Sequence, residues 1–151
     1  MRKILSSMFA VAIVASATVW ATEPNLEGVK CVVAPKAASA DKSAEYKEGH
    51  VYFCCGGCAS KFAANTEEFA PKANHQLVST KQYEQKACPF SGQPVTADKS
   101  VKVANVEVGF CCGGCLKKAS SEEGDKQIAM LFGDKTFVKG FQVKKEKPAV
   151  Q

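Results

Sequence analysis

Phe53-Cys54-Cys55-Gly56-Gly57-Cys58 recurs as Phe110-Cys111-Cys112-Gly113-Gly114-Cys115. A single cysteine precedes each copy, Cys31 and Cys88, so the eight cysteines form two sets, and each member of the second lies 57 residues after its counterpart. Thiols placed by chance do not keep one register four times over. The chain therefore reads as a tandem duplication of a cysteine-bearing unit. Aligning residues 31–61 with 88–118 gives 13 identities in 31 positions, among them Ala40-Asp41-Lys42-Ser43 against Ala97-Asp98-Lys99-Ser100.

Between the lone cysteine and the cluster, each unit reads as a β-hairpin. Val101, Val103, Val106, Val108 and Phe110 alternate around Ala104-Asn105, and Tyr46 and Val51-Tyr52-Phe53 flank Lys47-Glu48-Gly49. The second strand delivers the chain into Cys54 or Cys111. Each Gly-Gly pair permits positive φ and close approach to whatever the sulfurs surround. Residues 59–64 favour a helix, and a second is expected to start at Asn65 or Thr66, with Glu67 and Glu68 in its first turn and Pro71 near its close. In the other copy Leu116-Lys117-Lys118-Ala119 leads to Ser120 and Glu123 at capping-box spacing. An apolar face of Ile128, Leu131 and Phe132 follows, with a stop at Gly133. The fold class expected is α+β: two small tandem units of knuckle, hairpin and helix.

The N-terminal residues 1–21 read as a signal peptide. Arg2 and Lys3 open it, the run to Trp20 is nearly all apolar, and small residues allow cleavage after Ala21 or Ala17. An exported chain, periplasmic or secreted, without stable membrane insertion after cleavage, is expected. Residues 22–30 would form an N-terminal segment, 31–73 the first repeat, 74–87 a connector, 88–132 the second repeat and 133–151 a polar tail. Without Arg2 and Lys3 the chain has 18 basic and 15 acidic residues, with lysines scattered among acids and no basic stripe interleaved with aromatics. No nucleic-acid partner follows from this pattern. Each repeat alone is too small for a sizeable core, so staples are expected, whether disulfides, metals or a neighbour.

A lone cysteine and cysteines at a helix start converge only if the hairpin folds the chain back between them. Thiolates gathered there repel one another unless a cation or an oxidant intervenes, and the helix N-terminus favours their charged form. Soft metals suit such a cluster: Zn(II) with four tetrahedral ligands, or Cu(I) with two or three thiolates. The pattern of lone cysteine, hairpin and Phe-Cys-x-x-x-Cys resembles the TRASH and YHS family, treble-clef-like metal-binding modules of heavy-metal trafficking, resistance and sensing. The resemblance spans Cys31 to about Ala73 and Cys88 to about Phe132. It implies Cys31, Cys54 and Cys58 as ligands in one unit and Cys88, Cys111 and Cys115 in the other, one Zn(II) or Cu(I) per repeat. It also implies a metal-transport or metal-accepting partner protein. Cys88-Pro89-Phe90-Ser91-Gly92 is similar to a treble-clef knuckle whose second cysteine has become serine, and Ala34 holds that position in the first copy. Cys55 and Cys112 are possible additional ligands.

Two other functions stay open at this stage. An even number of cysteines in an exported chain is compatible with a disulfide-stapled interaction module, and a metal could staple such a module without being transferred. Cys55-Gly56-Gly57-Cys58 and Cys112-Gly113-Gly114-Cys115 are also formal redox dithiols, although neither unit has room for the βαβ frame of a thioredoxin. Ala59 and Leu116 stand where haem attachment requires histidine. His50 and His75 lack symmetry between repeats and read as surface or locally hydrogen-bonded groups. No paired carboxylates, activated serine or phosphate-cradling loop points to an enzyme.

Overall fold

The computed structural model of the chain describes residues 24–145, so the leader assigned to residues 1–21 lies outside the described part. The fold is α+β. β1 (Ser39–Tyr46) pairs antiparallel with β2 (Gly49–Phe53), which runs through Cys54 and Cys55 into α1 (Gly56–Ala64). Then come α2 (Thr66–Ser79) and the short β3 (Tyr83–Gln85). The plan repeats as β4 (Thr96–Val103), β5 (Val106–Phe110) and α3 (Gly113–Ala119), followed by α4 (Gly124–Phe132), α5 (Asp134–Gly140) and β6 (Phe141–Val143).

The two hairpins carry one register displaced by 57 residues. Tyr46 pairs with Gly49 and Ser39 with Phe53; Val103 pairs with Val106 and Thr96 with Phe110. Both are irregular at the same place, because the pairing jumps from Ser43 to Ser39 and from Ser100 to Thr96 across a single partner step. The duplicated Ala-Asp-Lys-Ser is this bulge, which explains why it matches so closely between halves. At each tip the first loop residue, Lys47 or Ala104, is left-handed, with φ of 53° and 52°. Val51 and Phe53, and Val108 and Phe110, are fully buried, so the strand end that presents each cysteine cluster is anchored in the core.

Glutamines tie these hairpins to the rest of the chain. The Tyr52 N–H donates to the Gln76 side-chain oxygen at 2.6 Å, and the Gln76 amide donates to the carbonyls of Tyr52 and Lys30 at 2.9 and 2.8 Å. At the equivalent place in the second hairpin, the Gly109 N–H donates to Gln85 at 2.8 Å and Gln85 donates to the Gly109 carbonyl at 2.7 Å. A side-chain amide thus acts as one more strand residue on each edge.

Three boundaries differ from the sequence reading. Pro71 does not close its helix. It lies inside α2, which continues to Ser79 and buries Phe69, Ala70, Ala73, Asn74, Gln76 and Leu77. Burial of that face against α4 outweighs the ~3 kcal/mol a helical proline costs. Residues 74–87 are accordingly not a mere connector. Nor is the segment after Phe132 a polar tail: α5 and β6 occupy residues 134–143, β6 pairs with β3, and Phe137 and Phe141 are 2% and 3% exposed. Their rings stack at 5.3 Å, and Phe141 stacks on Phe132 at 5.2 Å. Finally, Ser120 and Glu123 form no capping box; Ser120 closes α3, and Glu123 precedes α4 without a side-chain cap.

The core is one contiguous apolar cluster drawn from both repeats and from α5 and β6. The staple that each small unit needs is largely its neighbour. Phe137→Ala should therefore lower stability by ~3–5 kcal/mol in chemical denaturation of the metal-free protein. A solvated tail would allow only about 0.5 kcal/mol either way.

Candidate metal centres

Each centre is assembled from a knuckle, a strand end and a helix start. In the first, the Cys31 N–H donates to the Lys36 carbonyl at 2.7 Å, and an isolated bridge between Lys30 and Ala37 closes the loop. In the second, the Cys88 N–H donates to the Gln93 carbonyl at 2.9 Å and the Gly92 N–H to the Cys88 carbonyl at 2.8 Å. The Gly140 carbonyl accepts from Lys86 and Ala87 at 2.8 and 3.1 Å, and a Cβ on Gly140 would lie 2.9 Å from Pro89 Cα. The end of α5 thus seats the second knuckle.

The hairpins bring the sulfurs together as the spacing implied. Cys31, Cys54 and Cys58 place their Sγ atoms within 4.8 Å of one another, and so do Cys88, Cys111 and Cys115. Sγ–Sγ separations are 3.6 Å for Cys54 and Cys58 and 3.8 Å for Cys111 and Cys115. A tetrahedral ion with metal–sulfur bonds of about 2.3 Å has S–S edges of about 3.8 Å, so the donor set fits a soft metal in type and in size. All eight cysteines are free thiols. Cys31 and Cys88 are buried, whereas the other four members of the triads are partly exposed, giving each centre a closed floor and an open rim.

Burial pushes the Cys31 thiol up, but backbone N–H groups of Cys54, Val33 and Ala34 outweigh it and hold the group below its ordinary value. Cys88 is also raised by burial and lowered more strongly by the Ser91 hydroxyl and the backbone of Cys111, Ser91 and Phe90, to about 6. Cys58, hydrogen-bonded to Cys55 and Cys54, rises to about 12. Cys115, through burial and its contact with Cys112, does likewise, to about 12. In each triad the knuckle thiol is thus more acidic than the helix thiol, which keeps its proton. A metal ion held by either triad would have to displace that proton.

Cys55 and Cys112 are exposed N-caps of α1 and α3. Backbone hydrogen bonding from Cys58 lowers the Cys55 thiol, and from Cys115 the Cys112 thiol. The Cys55 Sγ lies 3.6 Å from that of Cys58 and 3.9 Å from that of Cys54, on the rim of the first centre. The Gly-Gly pairs have no positive φ; they open the helices, and a Cβ on Gly56 or Gly113 would meet nothing within 4 Å. Their effect is a bare surface beside the sulfurs. His50 is exposed on its hairpin. His75 packs edge-on against Phe132 and lies 3.1 Å from the Val103 carbonyl through Nε2; burial lowers its pKa, and it belongs to neither centre. Ser91, read from sequence only as a lost cysteine, has its hydroxyl 3.1 Å from the Cys111 Sγ. Its place three residues after Cys88 in a knuckle was the available signal.

Comparison with protein-family models, with curated proteins and with solved structures finds no match to this chain.

If the three sulfurs act as one site, Cys31→Ser should weaken metal binding in the first repeat as much as Cys58→Ser does. Each should cost on the order of tenfold or more in competition with a chromogenic chelator, with the second repeat unchanged. A second expectation concerns pH. Metal binding at the second centre must displace the Cys115 proton, and below about pH 6 it must also displace one from Cys88. Affinity should fall on acidification, and the slope of log affinity against pH should steepen by about one proton below that point.

Proposed function

We propose that this protein is an exported carrier or buffer of a soft metal ion, taking one Zn(II) or Cu(I) per repeat on cysteine thiolates. The observation that carries the reading is the convergence of three thiols on one point in each repeat. Membership of the TRASH and YHS group, argued above from motif alone, is part of the proposal and agrees with the knuckle, hairpin and helix plan. The apolar leader supports export. Among the described residues, no helix is long and apolar enough to cross a membrane.

Carriage is favoured over stapling by the core. One apolar cluster links both repeats through Phe53, Leu77, Phe110, Leu131, Phe132 and Phe137, so the fold does not rest on the metal as a single zinc finger does. The rim favours it too. Cys55 and Cys112 stand exposed beside the triads, where a thiol of a metal-accepting partner can meet the ion and exchange it ligand by ligand. No enzymatic role belongs to this reading.

A second reading, thiol–disulfide exchange, has one observation in its favour: exposed Cys55 has a lowered pKa and lies 3.6 Å from Cys58, whose pKa is raised to about 12. That is the asymmetry a redox dithiol uses.

Chelator competition followed by circular dichroism on the reduced protein separates these readings. A carrier should release its metal to the chelator while its far-ultraviolet spectrum persists, and Cys55→Ser should slow that release while leaving metal content intact. Unfolding on chelation would assign a structural staple. Disulfide reduction by the metal-free protein, abolished by Cys55→Ser, would assign the redox role.

A further inference from the structure

The two centres are not copies of each other. We propose that the second is completed by the chain itself, with the Ser91 hydroxyl as fourth donor of a three-sulfur, one-oxygen site on Cys88, Cys111 and Cys115, whereas the first centre stops at its three thiols. The proposal rests on the metal-binding reading of these clusters and gives the two sites different chemistry.

The geometry begins in the knuckles. Ser91 follows Cys88 by three residues in a turn closed by the Gly92 N–H on the Cys88 carbonyl, and Gly92 has φ of +75°. The Ser91 hydroxyl also hydrogen-bonds the Cys88 side chain, so Cys88 and Ser91 face the same point. Ser91 Oγ accepts the Gln93 N–H at 3.2 Å and lies 3.1 Å from the Cys111 Sγ. A hydroxyl oxygen has two lone pairs and one proton, so with one pair held by Gln93 the other is free for a cation among the sulfurs. The Gln93 bond fixes the side chain before any ion arrives.

The first knuckle lacks this donor. Ala34 has no donor atom, and Pro35 stands where Gly92 stands. A proline ring locks φ near −65°, so the left-handed turn is closed to it. The Lys36 N–H bonds back to the Ala34 carbonyl at 2.8 Å instead. The remaining thiol at the rim, the exposed Cys55, touches Cys54 and Cys58 but is not among the three sulfurs that all lie within 4.8 Å of one another. Zn(II) favours four tetrahedral donors, and Cu(I) is content with three thiolates. The second centre is therefore the Zn(II)-retaining site. The first is the one open to Cu(I) or to a ligand brought by a partner.

The test is 113Cd NMR of the reduced protein loaded with 113Cd(II), together with Zn(II) chelator competition. Wild type should bind two ions and give two resonances. Ser91→Cys should move one resonance downfield, as sulfur replaces oxygen, and leave the other in place. Ser91→Ala should move that same resonance and weaken one of two Zn(II) affinities by on the order of tenfold to a hundredfold. Two bound ions with resonances unmoved by either Ser91 variant would overturn the assignment. A loss of affinity with unchanged shifts would overturn it as well, making Ser91 a hydrogen-bond donor to Cys111. If no cadmium binds, the metal-binding reading fails and the proposal fails with it. Ser91 is exposed and outside the core, so these variants keep the fold.

Discussion

Three sulfur atoms from separated parts of the chain have to meet at one point, and the rest of each repeat is arranged around that requirement. Cys31 and Cys88 sit on knuckles more than twenty residues before their partners, so a hairpin must return the chain to within bonding reach. The cost of ordering the hairpin is met by apolar burial at its far end, where Phe53 and Phe110 are completely enclosed. A strand fixed that firmly delivers Cys54 or Cys111 to one place. The helix start beyond it delivers Cys58 or Cys115 four residues later, one turn away and on the same side.

Duplication solves a second problem. A unit of forty-odd residues has too little interior to be stable, and here α2 of the first repeat lies on α4 of the second, with α5 and β6 sealing the join. Asn74 shows the coupling at atomic scale. Its amide donates to the Phe132 carbonyl at 2.8 Å and to Asp134 at 3.0 Å, tying α2 to the end of α4 and the start of α5. Because stability comes from this shared interior, the centres are free to diverge. The knuckles have done so through Pro35 and Gly92, while the hairpins and helix starts have kept their register.

Much of this was legible in the sequence because cysteine, glycine and alternating β-branched residues report local chemistry that packing rarely overrides. The tandem register, both hairpins and the two triads were all readable. The order after Phe132 was hidden because Lys135, Lys139, Lys144 and Lys145 make the segment look solvated. Phe137 and Phe141, four residues apart, were the faint sign of a buried face. Pro71 misled because a local rule stops a helix there, whereas burial of Phe69, Ala73 and Leu77 on one face carries α2 onward. The Gly-Gly pairs invited a reading from backbone freedom, yet they sit in ordinary helical turns, where the missing Cβ matters for access rather than for φ.

The most direct test of thiolate metal binding is the metal and thiol count of anaerobically purified protein, by native mass spectrometry with alkylation under denaturing conditions. Two soft metal ions per chain, with all eight cysteines alkylated once the metal is released, is the expected result. A metal-free chain eight hydrogens lighter, with no thiol left to alkylate, would contradict it.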